Sequence, residues 1–155
     1  MTHTIGQIDY ALANESDIPA MVKLLAQLFA IEQDFSAHAG QQAQGLAMLL
    51  QNTQTACIQI ARNGAGEVMG MVSAQLVIST AQGSASAWIE DMVIDTQYRR
   101  RGIGKHLLQN ALTWAKANGA TRAQLLVDID NTQALGYYAH HGWASTQLEA
   151  RRIFL

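Results

Sequence analysis

Three consecutive arginines run into two closely spaced glycines in Arg99-Arg100-Arg101-Gly102-Ile103-Gly104-Lys105-His106, between an apolar strand-like run and a helix-like one. Those residue types in that order suit a phosphate. Glycine lets the main chain approach a ligand with no Cβ in the way. The unpaired N–H groups of a first helical turn, with the helix dipole behind them, attract anions. Arginine adds forked donors that match phosphate oxygens. Two nucleotide-binding motifs fail on spacing. The dinucleotide fingerprint Gly-x-Gly-x-x-Gly needs a third glycine where Leu107 stands, and no acidic residue follows a second strand about twenty positions on. A P-loop would need glycine at Arg99 and Ser or Thr at His106. What remains is Arg/Gln-x-x-Gly-x-Gly/Ala, met by Arg99, Gly102 and Gly104. A solvated basic turn at a helix start satisfies that short pattern equally well.

The elements that must position this loop are legible from periodicity. Residues 8–13 read as a short strand. Asn14 or Ser16 caps a helix that carries Met21, Val22, Leu24, Leu25, Leu28 and Phe29 at helical spacing to about Glu32. The single proline, Pro19, falls in its first turn, where the missing N–H does little harm. A break over residues 36–40 precedes a second helix with Leu46, Met48, Leu49 and Leu50. Strands follow at 55–62 and 67–78, joined by the turn Asn63-Gly64-Ala65-Gly66, and then at 87–95 after a polar loop at 80–86. The helix after the glycines places Ile103, Leu107, Leu108, Ala111, Leu112 and Ala115 on one face and stops at Gly119. A strand at 122–128, a short helix opened by Asn131 and ended by Gly142, and a closing strand pair at 143–148 and 150–155 complete the chain. The early strands should be antiparallel. The two that flank the glycine helix should be parallel, with a right-handed crossover.

Composition narrows the function classes. The chain of 155 residues is 49% hydrophobic and 14% charged, which reads as one globular domain spanning 1–155. A formal net charge of −2 gives no global basic field, so nucleic acid is disfavoured as a partner. Acids cluster at Glu32 and Asp34, Glu90 and Asp91, and Asp128 and Asp130. The lone Cys57 makes no internal disulfide and reads as a small hydrophobe in a strand. No apolar run reaches spanning length and no signal peptide pattern opens the chain, so a cytoplasmic location without a membrane partner is expected. His140 and His141 are adjacent and His106 lacks a partner at metal-ligand spacing, so no metal is expected.

Two further blocks lift the loop out of ambiguity. Trp88-Ile89-Glu90-Asp91-Met92-Val93-Ile94-Asp95 leads into Tyr98 and the arginine–glycine loop. Downstream, Asn131, Ala134, Tyr137, Tyr138, Gly142 and Trp143 satisfy Asn-x-x-Ala-x-x-Phe/Tyr-Tyr-x-x-x-Gly-Phe/Trp. With that separation between blocks, the chain resembles the GNAT superfamily of acyl-CoA-dependent N-acetyltransferases, closely over residues 87–143. The Ile89-Glu90-Asp91 segment is similar to that of the polyamine (spermidine/spermine) acetyltransferases. The resemblance implies an α/β (α+β) GNAT fold: a mixed sheet of six to seven strands, helices on both faces, and central parallel strands that splay apart.

The same resemblance implies an acetyl-CoA co-substrate and a set of roles. The diphosphate should lie against Arg99, Arg100, Arg101, Gly102, Ile103, Gly104 and Lys105. The pantetheine arm should run between the splayed strands, touching the main chain of Met92, Val93 and Ile94, and one of these N–H groups would polarise the thioester carbonyl. Glu90 is the candidate general base, since an ammonium of pKa about 10 must lose a proton before it attacks. Strand alternation sets Glu90 beside Trp88, Met92 and Ile94. Asp91 competes for the role, because a bulge would swap the two faces. Tyr138 is the candidate general acid for the departing thiolate and a cofactor contact, while Tyr137 packs inward. Asn131 either bonds the cofactor or simply caps its helix. Glu32, Asp34, Glu90 and Asp91 would line the acceptor mouth, which implies a small cationic amine attacked directly in a ternary complex. A protein or peptide acceptor, and a CoA-binding module without turnover, are the alternatives. Related enzymes imply a homodimer.

Overall fold

The computed structural model describes residues 6–32 and 36–155. Its elements are β1 (Asp9–Leu12), α1 (Ile18–Ile31), α2 (Ala39–Gln51), β2 (Ala56–Arg62), β3 (Val68–Ser79), β4 (Ser84–Ile94), α3 (Ile103–Ala117), β5 (Ala120–Leu125) and α4 (Thr132–His140), with single 3-10 turns at Glu15–Asp17 and Thr96–Tyr98. The strands form one sheet in chain order, antiparallel from β1 to β4 and parallel between β4 and β5. The α3 crossover therefore joins the one parallel pair.

Period-two alternation builds a core on each face of the sheet. In β2, Ile58 and Ile60 pack with Met21, Leu24, Leu25 and Leu46 of α1 and α2. Cys57 and Ala61 of the same strand pack with Ile103, Leu107, Leu108, Ala111 and Ala115 of α3. Every β2 residue but Arg62 is buried, as expected of a strand covered on both sides. Gly70 of β3 is squeezed between layers: a Cβ there would meet Ile94 Cδ1 at 2.5 Å and the Val93 carbonyl oxygen at 3.1 Å. Neither Asn14 nor Ser16 caps α1, whose N-cap is Asp17 with no side-chain capping bond; Asn14 instead caps the 3-10 turn that leads into it. Its carboxamide oxygen accepts from Ser16 N (2.9 Å) while its own N–H donates to Asp17 (2.9 Å). Buried Asp17 is in turn ion-paired with Arg62 of β2.

Three expectations change. The described residues hold a five-stranded sheet, not six to seven strands, because residues 143–155 form no strand pair. A hairpin there would need turn chemistry between its arms, and Leu148-Glu149-Ala150 offers no glycine, asparagine or proline. The supposed loop at 80–86 is shorter: Ser84, Ala85 and Ser86 pair with Ser79, Ile78 and Val77 across a turn that uses Gly83 at φ +63°. Ladder bonds are made by the main chain, so small polar side chains do not prevent them. At the other end, β5 stops at Leu125 instead of running to 128.

That early stop opens the centre of the sheet. The parallel pairing ends at Ile89↔Leu125, while β4 continues to Ile94 with no paired strand on that side among the described residues. The two central strands thus part, leaving a wedge floored by the far half of β4.

Candidate active site

The loop between β4 and α3 turns twice through the left-handed region, at Arg100 (φ +61°) and Gly102 (φ +75°). Alternating left-handed turns of this kind aim successive N–H groups into a concavity that suits an anion. The first helical bond of α3 is His106 N to the Gly102 carbonyl, so the N–H groups of Ile103, Gly104 and Lys105 precede it. The arginines differ in use. Arg99 Nε donates to the Ile94 carbonyl (3.2 Å) and ties the loop to the end of β4. The Arg101 guanidinium sits 5.4 Å over the Tyr98 ring. Arg100 and Lys105 are exposed. At Gly104 a Cβ would come within 2.9 Å of Met92 Cε, so glycine lets the start of α3 lie against β4.

The wedge lies beside this loop. Asp95 N donates to the Met69 carbonyl (2.9 Å), so alternation turns the N–H groups of Ile94 and Met92 toward the open side and that of Val93 toward β3. α4 borders the wedge. Tyr138 Oη donates to Met92 Sδ (3.8 Å), and burial, followed by the nearby Tyr137 and Glu32, pushes its phenol up to about 12. Trp143 packs edge-on to the Tyr138 ring at 5.9 Å. Asn131 caps α4, its carboxamide oxygen accepting from Ala134 N (3.1 Å). A diphosphate-bearing thioester coenzyme fits this arrangement: the N–H groups of Ile103, Gly104 and Lys105 precede the first helical bond, basic side chains stand beside them, and β4 presents main-chain groups along the wedge.

On the sheet's other face the two carboxylates of β4 part company. Ser73 pairs with Glu90 and Met71 with Val93, so Asp91 and Met92 together oppose Val72. This is a β-bulge, with Asp91 at φ +54°. The bulge breaks the simple alternation, and Met92 and Ile94 join the α3 layer while Glu90 and Asp91 both line a cleft against α1 and α2. Ser73 Oγ donates to the Glu90 carbonyl (3.1 Å) at the break in the ladder. Glu90 is exposed and accepts from Trp88 Nε1. Asp91 is the more enclosed; burial, then Glu90 and Glu32, push its carboxyl up to about 7. Glu32, just past α1, thus acts electrostatically on both Asp91 and Tyr138. Asp34 lies outside the described residues. The cleft has a volume of about 870 Å³, and Phe29, Gln41 and Gln42 line it with Arg152 and Phe154 of the C-terminal segment.

The sequence names Asp91 and Arg100 as site residues but gives little sign of their backbone. Aspartate tolerates the left-handed region, the one hint of a bulge at Asp91. Nothing in the sequence marks the left-handed turn at Arg100. Arg152 and Phe154 lie among residues whose apparent alternation pointed to a strand.

The chain belongs to the acetyltransferase (GNAT) family, whose model matches residues 21–143. Streptothricin acetyltransferase A of Bacillus subtilis (strain 168) is 38% identical over 55 residues, 36% of this chain and 32% of that protein. Aminoglycoside N(6')-acetyltransferase type 1 of Acinetobacter genomosp. 13 is 30% identical over 104 residues, 61% of this chain and 70% of the relative. The match to the streptothricin enzyme spans about a third of that relative's length. In fold, an aminoglycoside N-acetyltransferase crystallised in complex with CoA superposes with a TM-score of 0.79 at 18% identity, covering 100% of this chain and 97% of that one.

Proposed function

We propose that the protein is an acetyl-CoA-dependent N-acetyltransferase that modifies a primary amine of a small cationic molecule by direct attack in a ternary complex. One observation carries the reading: the bulge at Asp91 turns a proton-accepting carboxylate into a cleft beside Glu32, which acts electrostatically both on Asp91 and on Tyr138 of the wedge.

Acetyl-CoA, when bound, supplies an acetyl group activated as a thioester. The N–H groups of Arg101 to Lys105 would hold its diphosphate, and those of Met92 and Ile94 would meet its arm and carbonyl. Arg99 shapes the loop, while Arg100 and Lys105 add charge. Asp91 receives the proton from the acceptor ammonium, since its affinity for protons near neutrality suits a general base. Glu90 and Glu32 add negative charge at the mouth and favour a cationic acceptor. Tyr138, with its phenol held protonated to about 12, is the general acid for the thiolate. Cys57 is buried against α3 with its thiol pushed up to about 11 by that burial, which leaves it a poor nucleophile and favours direct attack. Relatives named for streptothricin and for the 6'-nitrogen of aminoglycosides support a small amine acceptor, with polyamines another source of the same chemistry. Among the described residues β5 is an edge strand with no further strand beyond it, an edge that a second copy of the chain could cover in a homodimer.

The test is calorimetry with acetyl-CoA followed by a screen of polyamines, aminoglycosides and peptides read by thiol release. Coenzyme uptake with turnover of a small amine is expected. Tyr138→Phe should then keep coenzyme affinity and lose about a hundredfold in kcat. Uptake without turnover of any amine would make the protein a binding module, turnover of peptides alone would move it to the protein-modifying class, and absence of uptake would sink the reading.

A further inference from the structure

Tyr137 is a polar residue of the downstream motif to which the proposed reaction gives no role. Its hydroxyl is buried, and it is the one such side-chain atom among the described residues without a hydrogen-bond partner. An unpaired buried hydroxyl costs about 1–3 kcal/mol, and such a group in a folded protein calls for an explanation. Phenylalanine would pack the same ring at no such cost, and the motif admits either residue.

The hydroxyl's position is specific. A Cβ on Gly104 would lie 3.7 Å from it, so the oxygen sits against the first turn of α3, under the N–H groups that open the helix. The ring is held edge-on by His141 (centroids 4.5 Å apart) and Tyr138 (5.5 Å), which fixes the direction of the C–O bond. The same spot is covered by Met92, whose Cε would touch that Cβ at 2.9 Å and whose sulfur accepts from Tyr138. Methionine is unbranched and moves at low cost, so it is a yielding cover over a polar atom.

We infer that Tyr137 is a coenzyme-binding residue, whose hydroxyl donates to an oxygen of the coenzyme held at the first turn of α3 once the Met92 side chain swings aside. The inference rests on the acetyl-CoA reading above. It adds a donor at the junction of the diphosphate cradle and the wedge, on α4 and not on the loop. Because burial raises the phenol's pKa, it stays a donor across the physiological range.

Tyr137→Phe tests this with two readouts that need no turnover: melting of the free protein, and the Kd for CoA by calorimetry. The free variant should melt at the same temperature or higher, since it sheds an unsatisfied group. Its CoA affinity should fall about tenfold, the worth of one hydrogen bond to a charged acceptor. A free variant that melts lower would assign the hydroxyl an internal or water partner and overturn the inference. Unchanged CoA affinity would overturn it as well. Wild-type protein that takes up no CoA would instead sink the acetyl-CoA reading itself.

Discussion

At the scale of the residue, Asp91 joins the proposed chemistry to backbone strain; with Arg100 it is one of two residues with side chains at positive φ among the described residues. Its left-handed backbone is unusual for a residue with a side chain and costs on the order of 1 kcal/mol. Its carboxyl gains protons more readily than an exposed aspartate because it is enclosed and faces Glu90 and Glu32. Both costs are explained if the carboxylate is the base of the proposed reaction. Asp91→Asn should therefore lower kcat/KM by at least about a hundredfold and leave CoA affinity intact. In the wild type, kcat/KM should fall as pH drops below about 7, because the base is then protonated. Stability should move the other way. The folded-state pKa lies above the unfolded one, so the folded protein binds this proton more tightly. The penalty is absent below about pH 4, grows as pH rises toward 7 and is full above it. The carboxamide of the Asp91→Asn variant carries no charge, so that variant should melt higher than wild type at pH 8 and at the same temperature near pH 3. Equal melting at pH 8 would remove the enclosed-carboxylate premise. The sequence favours Glu90, with Asp91 as competitor if a bulge swaps the faces; the backbone at residue 91 shows that bulge, and the proposal of Asp91 as base rests on it.

At the scale of the element, the end of β4 is packed against two glycines with different duties, Gly104 of α3 and Gly70 of β3. Gly104 faces a flexible methionine, whereas Gly70 faces a backbone carbonyl and the branched Ile94 side chain. The second contact cannot relax cheaply. Gly70→Ala should cost about 1–3 kcal/mol by overpacking, measured by denaturant unfolding, and should weaken CoA binding by tilting the end of β4. A cost below about 0.5 kcal/mol would mean that the layers yield more easily than this geometry allows. Most elements were legible because their cause is local. Apolar spacing marks α1 and α3, Gly119 ends α3 at φ +91°, and Asn63 with Gly66 makes the β2–β3 turn. The wedge was legible only through family resemblance. It depends on where β5 stops pairing, and that is a relation between strands rather than a property of either one.

At the scale of the whole molecule, charge and apolar surface are unevenly spread. A chain of net charge −2 sets a basic loop at one end of the wedge and a cluster of acids on the opposite face of the sheet, so the diphosphate and the cationic amine of the proposed reaction would be drawn to different sides. The C-terminal segment joins this division without joining the sheet. Its alternating residues predict a strand, yet alternation reports only which side chains are apolar, and a strand also needs a partner edge within reach of a suitable turn. Leu148, Ile153 and Phe154 are all more than 80% exposed, while Arg152 and Phe154 line the cleft proposed for the acceptor. Few contacts in the core would be lost if residues 149–155 were removed. The truncated protein should unfold within about 0.5 kcal/mol of the full chain. Its CoA affinity should not change, because the loop and wedge lie elsewhere. Its KM for an acceptor amine should shift severalfold, because the cleft lining has lost a cation and an aromatic ring. A truncation that unfolds the protein would mean that the segment belongs to the core, and an unchanged KM would remove it from the acceptor site.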